Sequence, residues 1–279
     1  PKNYLFNNIN NFSIEIDYFD EKAGLYFNRN GSVGFWYEIN PLVGSNDSLE
    51  KNLTLFFNDE LPDDTYLQFL IVAGHDISHI MESWESKRKF GGDKLGAITK
   101  YRKWFIEKCA KEFSNASDGR LARNYRTFVS CSKFSNNSAK SISLIGNFKR
   151  KLENKLKTEN LTPKLMNAED LIVIGRDLLQ MDLTENATTS KYSKFNNLSD
   201  QICKRFEEVL VNPESISHES TGLESRIFSP RELPESFSLS EMVALLGSGD
   251  RAIPARFVIS YSLASNVGTS GTSRLVGQG

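Results

Sequence analysis

GFWYEINPL (Gly34–Leu42), GSNDSLEKNLTLFFNDELPDDT (Gly44–Thr65) and YLQFLIVA (Tyr66–Ala73) form the stretch whose reading decides the fold. The first block is aromatic and β-branched and is followed by Pro, so it reads as a strand that stops at Asn40-Pro41. Ser45, Asn46 and Asp47 then offer N-cap oxygens, and Leu49, Leu53 and Phe56-Phe57 follow at helical spacing. Leu61-Pro62-Asp63-Asp64 breaks that helix. Tyr66–Ala73 is an almost continuous apolar run of strand length, which predicts a strand buried on both faces. Strand, crossover helix and strand make one packing unit.

Upstream, Phe12–Tyr18 alternates apolar with polar residues, Leu25–Phe27 is a short second strand, and Arg29-Asn30-Gly31-Ser32 is a turn into Val33–Ile39. The opening therefore reads as an antiparallel meander. Downstream, the patterns predict helices from Asp76 to Phe90 and from Leu95 through Cys109, then a strand over Asn124–Phe134. The polar cluster Ser135–Ser138 marks a boundary. Beyond it a helix over Ala139–Lys157 aligns Ile142, Ile145, Phe148, Leu152 and Leu156. Thr162-Pro163 is read as capping the next element, a helix at Ala168–Leu179. A loop at Asn186–Asn197, a helix at Asp200–Val211, a strand near Ser225–Phe228, a helix at Ser238–Leu246 and a strand at Arg256–Leu263 complete the series. The fold class is α+β, a mixed or antiparallel sheet with helices packed on it. Two subdomains are expected, at residues 1–134 and 135–267. Residues 268–279 are set aside as a flexible linker or an appended remnant.

At 279 residues the chain can bury a substantial core, and its 34 basic and 35 acidic residues leave no global field to draw it to nucleic acid or an anionic membrane. Cys109, Cys131 and Cys203 are widely spaced and odd in number, which reads as reduced cytosolic thiols. No apolar run approaches the roughly 18–20 residues that span a bilayer. The chain lacks an initial Met and both ends read as cuts from something longer.

The order of GFWYEINPLVG, amphipathic helix, LPDDTYLQFLIVA and a helix carrying Ser83-Trp84-Glu85 resembles the N-terminal region of the TraC family. These are the F-type conjugation members of the VirB-type ATPases of type IV secretion. Leu121–Ser132 is similar to the family's arginine-aromatic strand, and Glu232–Leu263 to its Pro-led helix followed by an IPxxF strand. The resemblance implies a parent that hydrolyses ATP at the cytoplasmic face of the inner membrane and energises pilus assembly and DNA transfer. It also implies that the nucleotide motor, with its ATP and Mg, lies C-terminal to the region matched. The portion in hand is then a non-catalytic docking and assembly domain. Its implied partners are inner-membrane proteins of the secretion apparatus, its own motor, and neighbouring copies of itself. It would sit at the membrane periphery through those partners, with no direct hold on nucleic acid.

Residue chemistry agrees with a non-catalytic reading. A phosphate cradle needs GxxxxGK[ST], and Gly91…Gly96 is followed by Ala97-Ile98 where Lys and a hydroxyl are required. Ser130-Cys131-Ser132-Lys133 spells SxxK, but on a predicted strand and without the partner motifs. No catalytic residue and no cofactor or metal ligand is assigned. The one metal-like pattern is His75-Asp76-Ile77-Ser78-His79, two His at i and i+4, which supports the alternative of a soluble zinc-dependent hydrolase using His75 and His79. Against it, Asp76 reads as the cap of the helix starting there, which leaves His75 outside. A second alternative is a nucleic-acid-binding module. Lys87-Arg88-Lys89 through Tyr101-Arg102-Lys103-Trp104-Phe105 interleaves cations with aromatics, a mixture that can stack single-stranded bases or lie at a lipid headgroup boundary. The plainer expectation is that Tyr101, Phe105 and Cys109 pack inward while the cations stay in water. Arg120, Arg123 and Arg126 beside Tyr125 read as structural or subunit-contact residues. The candidate interface is therefore Arg102, Trp104, Arg123 and Arg126.

Overall fold

The computed structural model describes residues 16–40, 47–74, 77–88, 92–111, 122–134, 138–179, 191–202, 209–218, 222–228, 256–267 and 273–278. The expected meander is present as β1 (Ile16–Asp20), β2 (Leu25–Asn28) and β3 (Ser32–Ile39), with β2 antiparallel to both neighbours. Its turns are fixed locally. The Asp20 carboxylate accepts the backbone N–H of Lys22 at 2.8 Å and of Ala23 at 3.2 Å, and Gly24 closes the turn at φ +62°. Asn30 Oδ1 takes the Ser32 N–H at 2.9 Å in the second turn.

α1 (Asp47–Glu60) carries Asp47 and Glu50 in its first turn, where acidic groups suit the positive end of the helix. It stops at Leu61-Pro62, and the chain turns through Asp64 (φ 53°) into β4 (Thr65–Gly74). The expectation of a strand buried on both faces holds for Leu67, Leu70, Val72 and Ala73, but Tyr66 is 56% exposed. The helices α2 (Ser78–Ser86) and α3 (Gly92–Lys111) follow, and β5 (Asn124–Phe134) falls on the span the sequence predicts. Among the described residues the larger sheet has the order β1-β2-β3-β5-β4, continuing to β10 (Phe257–Val267) and β11 (Ser273–Gln278). β5 thus lies between β3 and β4, the two strands of the opening unit.

The chain clusters into two compact units, the first comprising residues 1–69, 128–231 and 261–279, the second residues 70–127 and 232–260. In the first, strand alternation divides the meander's side chains between two cores. Leu25, Phe27, Phe35 and Tyr37 join Phe57 of α1 and Ile145, Phe148, Leu152 and Leu156 of α4 (Ala139–Thr158). Phe148 lies 6.2 Å from the Phe35 ring and 6.0 Å from Phe56, so one aromatic ties α4 to both strand and helix. The alternate residues Tyr26 and Trp36 face Leu171 and Ile172 of α5 (Ala168–Leu179) and Leu198 and Ile202 of α6 (Leu198–Ile202). The architecture is α+β, an antiparallel sheet with helices packed on it.

Several local expectations are corrected. α5 is capped by Asn167 rather than by Thr162-Pro163: Asn167 Oδ1 accepts the Asp170 N–H at 2.8 Å, and Asp170 Oδ2 accepts the Asn167 N–H at 3.1 Å. The residues between form β6 (Lys164–Leu165), paired with Tyr37 and Glu38 of β3. Val209–Val211, expected to finish a helix, form β7 instead, antiparallel to β8 (Ile216–His218), which pairs with β9 (Leu223–Ser225). The β-branched Val209 and Val211 before the Asn212-Pro213 turn favour that hairpin. Ser273–Gln278, set aside from the fold, pair with β10 as β11. The predicted helix at Ser238–Leu246 lies outside the described residues. No helix among the described residues is long and apolar enough to cross a membrane.

Candidate functional site

The candidate surface lies in the second unit, on α3. Ile77 and Met81 pack with Ala110, and Trp84, Ile106 and Ala122 join them. These contacts decide how α3 is turned about its axis. Thr99, Cys109 and Ala110 are buried, and all three are small enough for close helix approach. Lys103 fixes the same orientation from the side: its ammonium is 2.9 Å from Glu85 of α2 and 3.9 Å from Glu107. The hydrogen bond that Lys103 donates to Glu85 raises the Lys103 pKa. Arg88 closes the end of α2, donating to the Trp84 carbonyl at 2.9 Å with its guanidinium 4.2 Å from the Trp84 ring centre.

With those residues inward, the large side chains elsewhere on the helix face out. Tyr101 is 64% exposed, Trp104 54%, Ile98 50% and Leu95 44%. The expectation that Tyr101 and Phe105 pack inward is overturned for Tyr101, and Phe105 also stands among the exposed large residues; of the three only Cys109 is buried. The contact with α2 is made through Ile106 and Ala110, and Tyr101 lies on the opposite side of the helix from both. Tyr101 and Trp104 pack on each other with ring centres 5.7 Å apart, and the Lys108 ammonium lies 5.4 Å from the Trp104 ring. Lys94, Lys100 and Arg102 are exposed on the same helix.

The four candidate residues differ in accessibility. Arg102 and Trp104 are exposed on α3, whereas Arg123 and Arg126 are half-buried at and within the start of β5. Arg123 stacks its guanidinium 5.5 Å from the Phe257 ring, and burial lowers its pKa. Arg120 lies outside the described residues.

Other chemistry resolves differently. His75 and Asp76 lie outside the described residues; His79 is exposed in the first turn of α2, whose cap position is Ile77, with no side-chain cap. Among the described residues no group of three or more His, Cys, Asp or Glu side chains is placed to hold a metal. In the SxxK segment Lys133 is spent on structure in the first unit. It donates to the Asp63 carbonyl and lies 4.0 Å from the Asp64 carboxylate, bracing the turn before β4. Thr65 Oγ1 and Ser265 Oγ, 3.0 Å apart and both within reach of the Pro62 carbonyl, complete that brace. Sequence patterning missed the exposure of Tyr101, because the apolar residues alone do not say which arc of α3 meets α2.

The model of a family described as TraC protein matches residues 16–264. Among curated proteins, none matches the chain.

Proposed function

The chain belongs to the TraC family of conjugation and type IV secretion, and from that premise we propose that it is a docking and assembly domain of a conjugative secretion ATPase. In this reading the domain recruits the protein to the cytoplasmic face of the inner membrane and makes subunit contacts. It performs no chemistry itself, and ATP and Mg belong to a motor outside these residues. The observation that carries the reading is the outer face of α3, where Tyr101 and Trp104 stand more than half exposed beside Arg102. Contiguous apolar surface rimmed by charge marks an interaction site, and Trp, Tyr and Arg are the residues most often responsible for binding energy.

The test is recruitment in cells carrying the conjugation apparatus. Trp104→Ala and Arg102→Ala together are expected to move the protein from the membrane fraction to the soluble fraction and to lower transfer frequency. Unchanged fractionation and transfer would remove α3 from the docking role.

A further inference from the structure

The outer face of α3 has a composition that identifies what covers it. α3 holds six cations (Lys94, Lys100, Arg102, Lys103, Lys108 and Lys111) against two acids (Asp93 and Glu107), a net of +4 in a chain whose net charge is −1. Lys103 and Glu107 face each other on the side toward α2, which leaves Lys94, Lys100, Arg102 and Lys108 exposed with Asp93. The exposed arc is thus aromatic, aliphatic and cationic at once, and its partner must be anionic while also accepting apolar side chains.

We infer that this face seats on an anionic lipid bilayer. Ile98, Tyr101 and Trp104 enter the headgroup boundary, and Lys94, Arg102 and Lys108 meet lipid phosphates. The inference rests on the docking reading and names the occupant of the same surface. Two features favour lipid over single-stranded nucleic acid. Ile98 shares the face and gives bases no ring to stack on, and Trp104 already has Tyr101 and the Lys108 ammonium against its ring. A headgroup boundary accepts both kinds of apolar residue, and Trp and Tyr are the side chains enriched there. A 20-residue helix is about 30 Å long, enough to lie along the surface in the plane of the interface.

The experiment is flotation of the purified chain with vesicles, with no other protein present. The chain should float with phosphatidylcholine mixed with phosphatidylglycerol, should not float with phosphatidylcholine alone, and should be released by sodium chloride, with inorganic phosphate at matched ionic strength releasing no more of it. Replacing three cations (Lys94→Gln, Arg102→Gln and Lys108→Gln) should weaken binding on the order of a hundredfold. Ile98→Ser with Trp104→Ser should also weaken it, which adsorption by charge alone would not show. The same cations changed to Lys94→Arg and Lys108→Arg should retain binding, and all variants should melt like the parent because every altered side chain is exposed. Failure of the parent chain to float with anionic vesicles, or equal flotation of parent and both weakened variants, overturns the inference. If vesicles fail while Trp104→Ala with Arg102→Ala still abolishes recruitment in cells, the lipid occupant is wrong and a protein occupies the surface. If the parent chain floats as stated while that variant is recruited normally, the lipid contact stands and the docking role falls.

Discussion

Gly34 opens the aromatic strand that organises the sheet, and adding one methyl group there should destabilise the protein. Its backbone is not in the left-handed region, so conformation alone predicts a gain: Ala in a strand interior is ordinarily about 0.5–1 kcal/mol better than Gly. Space predicts the reverse. A Cβ on Gly34 would come 2.6 Å from the carbonyl oxygen of Cys131, 3.0 Å from Ser132 Cβ and 3.2 Å from Ser132 Cα. The nearest of these is backbone of the neighbouring strand β5, which cannot swing aside as a side-chain tip can. Relief therefore means separating β3 from β5, with the core that includes Phe35, Val129 and Cys131 beneath them. Overpacking of this kind costs about 1–3 kcal/mol. At mid-range, about 2 less about 0.75, Gly34→Ala should lose about 1 kcal/mol, a fall in melting temperature of roughly 2–4 °C for a protein of this size. Gly146→Ala in α4 is the internal control. There a Cβ meets nothing within 4 Å, so the substitution should gain about 1 kcal/mol from helix propensity alone. Calorimetry on the two variants beside the parent separates the terms. A Gly34→Ala melting temperature equal to or above that of the parent would refute the close approach of β3 and β5.

In α5, a Cβ on Gly175 would lie 2.6 Å from Cγ2 of Ile202, a stiff β-branched side chain, so Gly175→Ala should cost about 1–3 kcal/mol in the parent and little in an Ile202→Ala background. A double-mutant cycle by urea titration reads that coupling, and additive effects would dismiss it. The Glu153 carboxylate is held below its ordinary pKa by Lys157 at 2.6 Å and then by the Tyr37 hydroxyl at 3.0 Å. A depressed carboxylate stabilises above its unfolded pKa, about 4.3, and the contribution is lost as pH falls through the lower folded value. The stability difference between parent and Glu153→Gln should therefore be present at neutral pH and close in acid; a pH-independent difference in urea midpoints would contradict it. Burial pushes the Cys131 thiol up to about 12, so Cys131 should resist alkylation in the native chain at mildly alkaline pH and react once urea unfolds it. Rapid native labelling of Cys131, mapped by mass spectrometry, would show that the β5 core is open.

The elements best legible in the sequence were those whose pattern and punctuation agreed. β5 and α5 fall where predicted: Ser135–Ser138 ends the first, and Asn167 with Asp170 caps the second. α4 likewise shows its stripe directly: Ile145, Phe148, Leu152 and Leu156 are all buried. The short pieces were not legible. β6 has two residues, and it exists because β3 offers Tyr37 and Glu38 as pairing partners, a tertiary cause that no local window contains. The insertion of β5 between β3 and β4 is of the same kind, since strand order depends on which edges are open when the later strand arrives. Val209–Val211 went astray where a helical pattern ran into β-branched residues, and pairing with β8 decided the outcome.

α3 shows why a helix can be located from sequence while its functional face is not. Apolar residues occur all round it, so the period gives a helix without saying which arc is inward. The contact with α2 resolves the choice: Met81 of α2, with Ile77 before it, packs with Ala110, and Ile106 joins from the same side of α3. Tyr101 and Trp104 lie off that side and stay exposed. The docking proposed above gives the exposed Tyr101 and Trp104 a role that folding does not, and the cations set among them would favour an anionic partner.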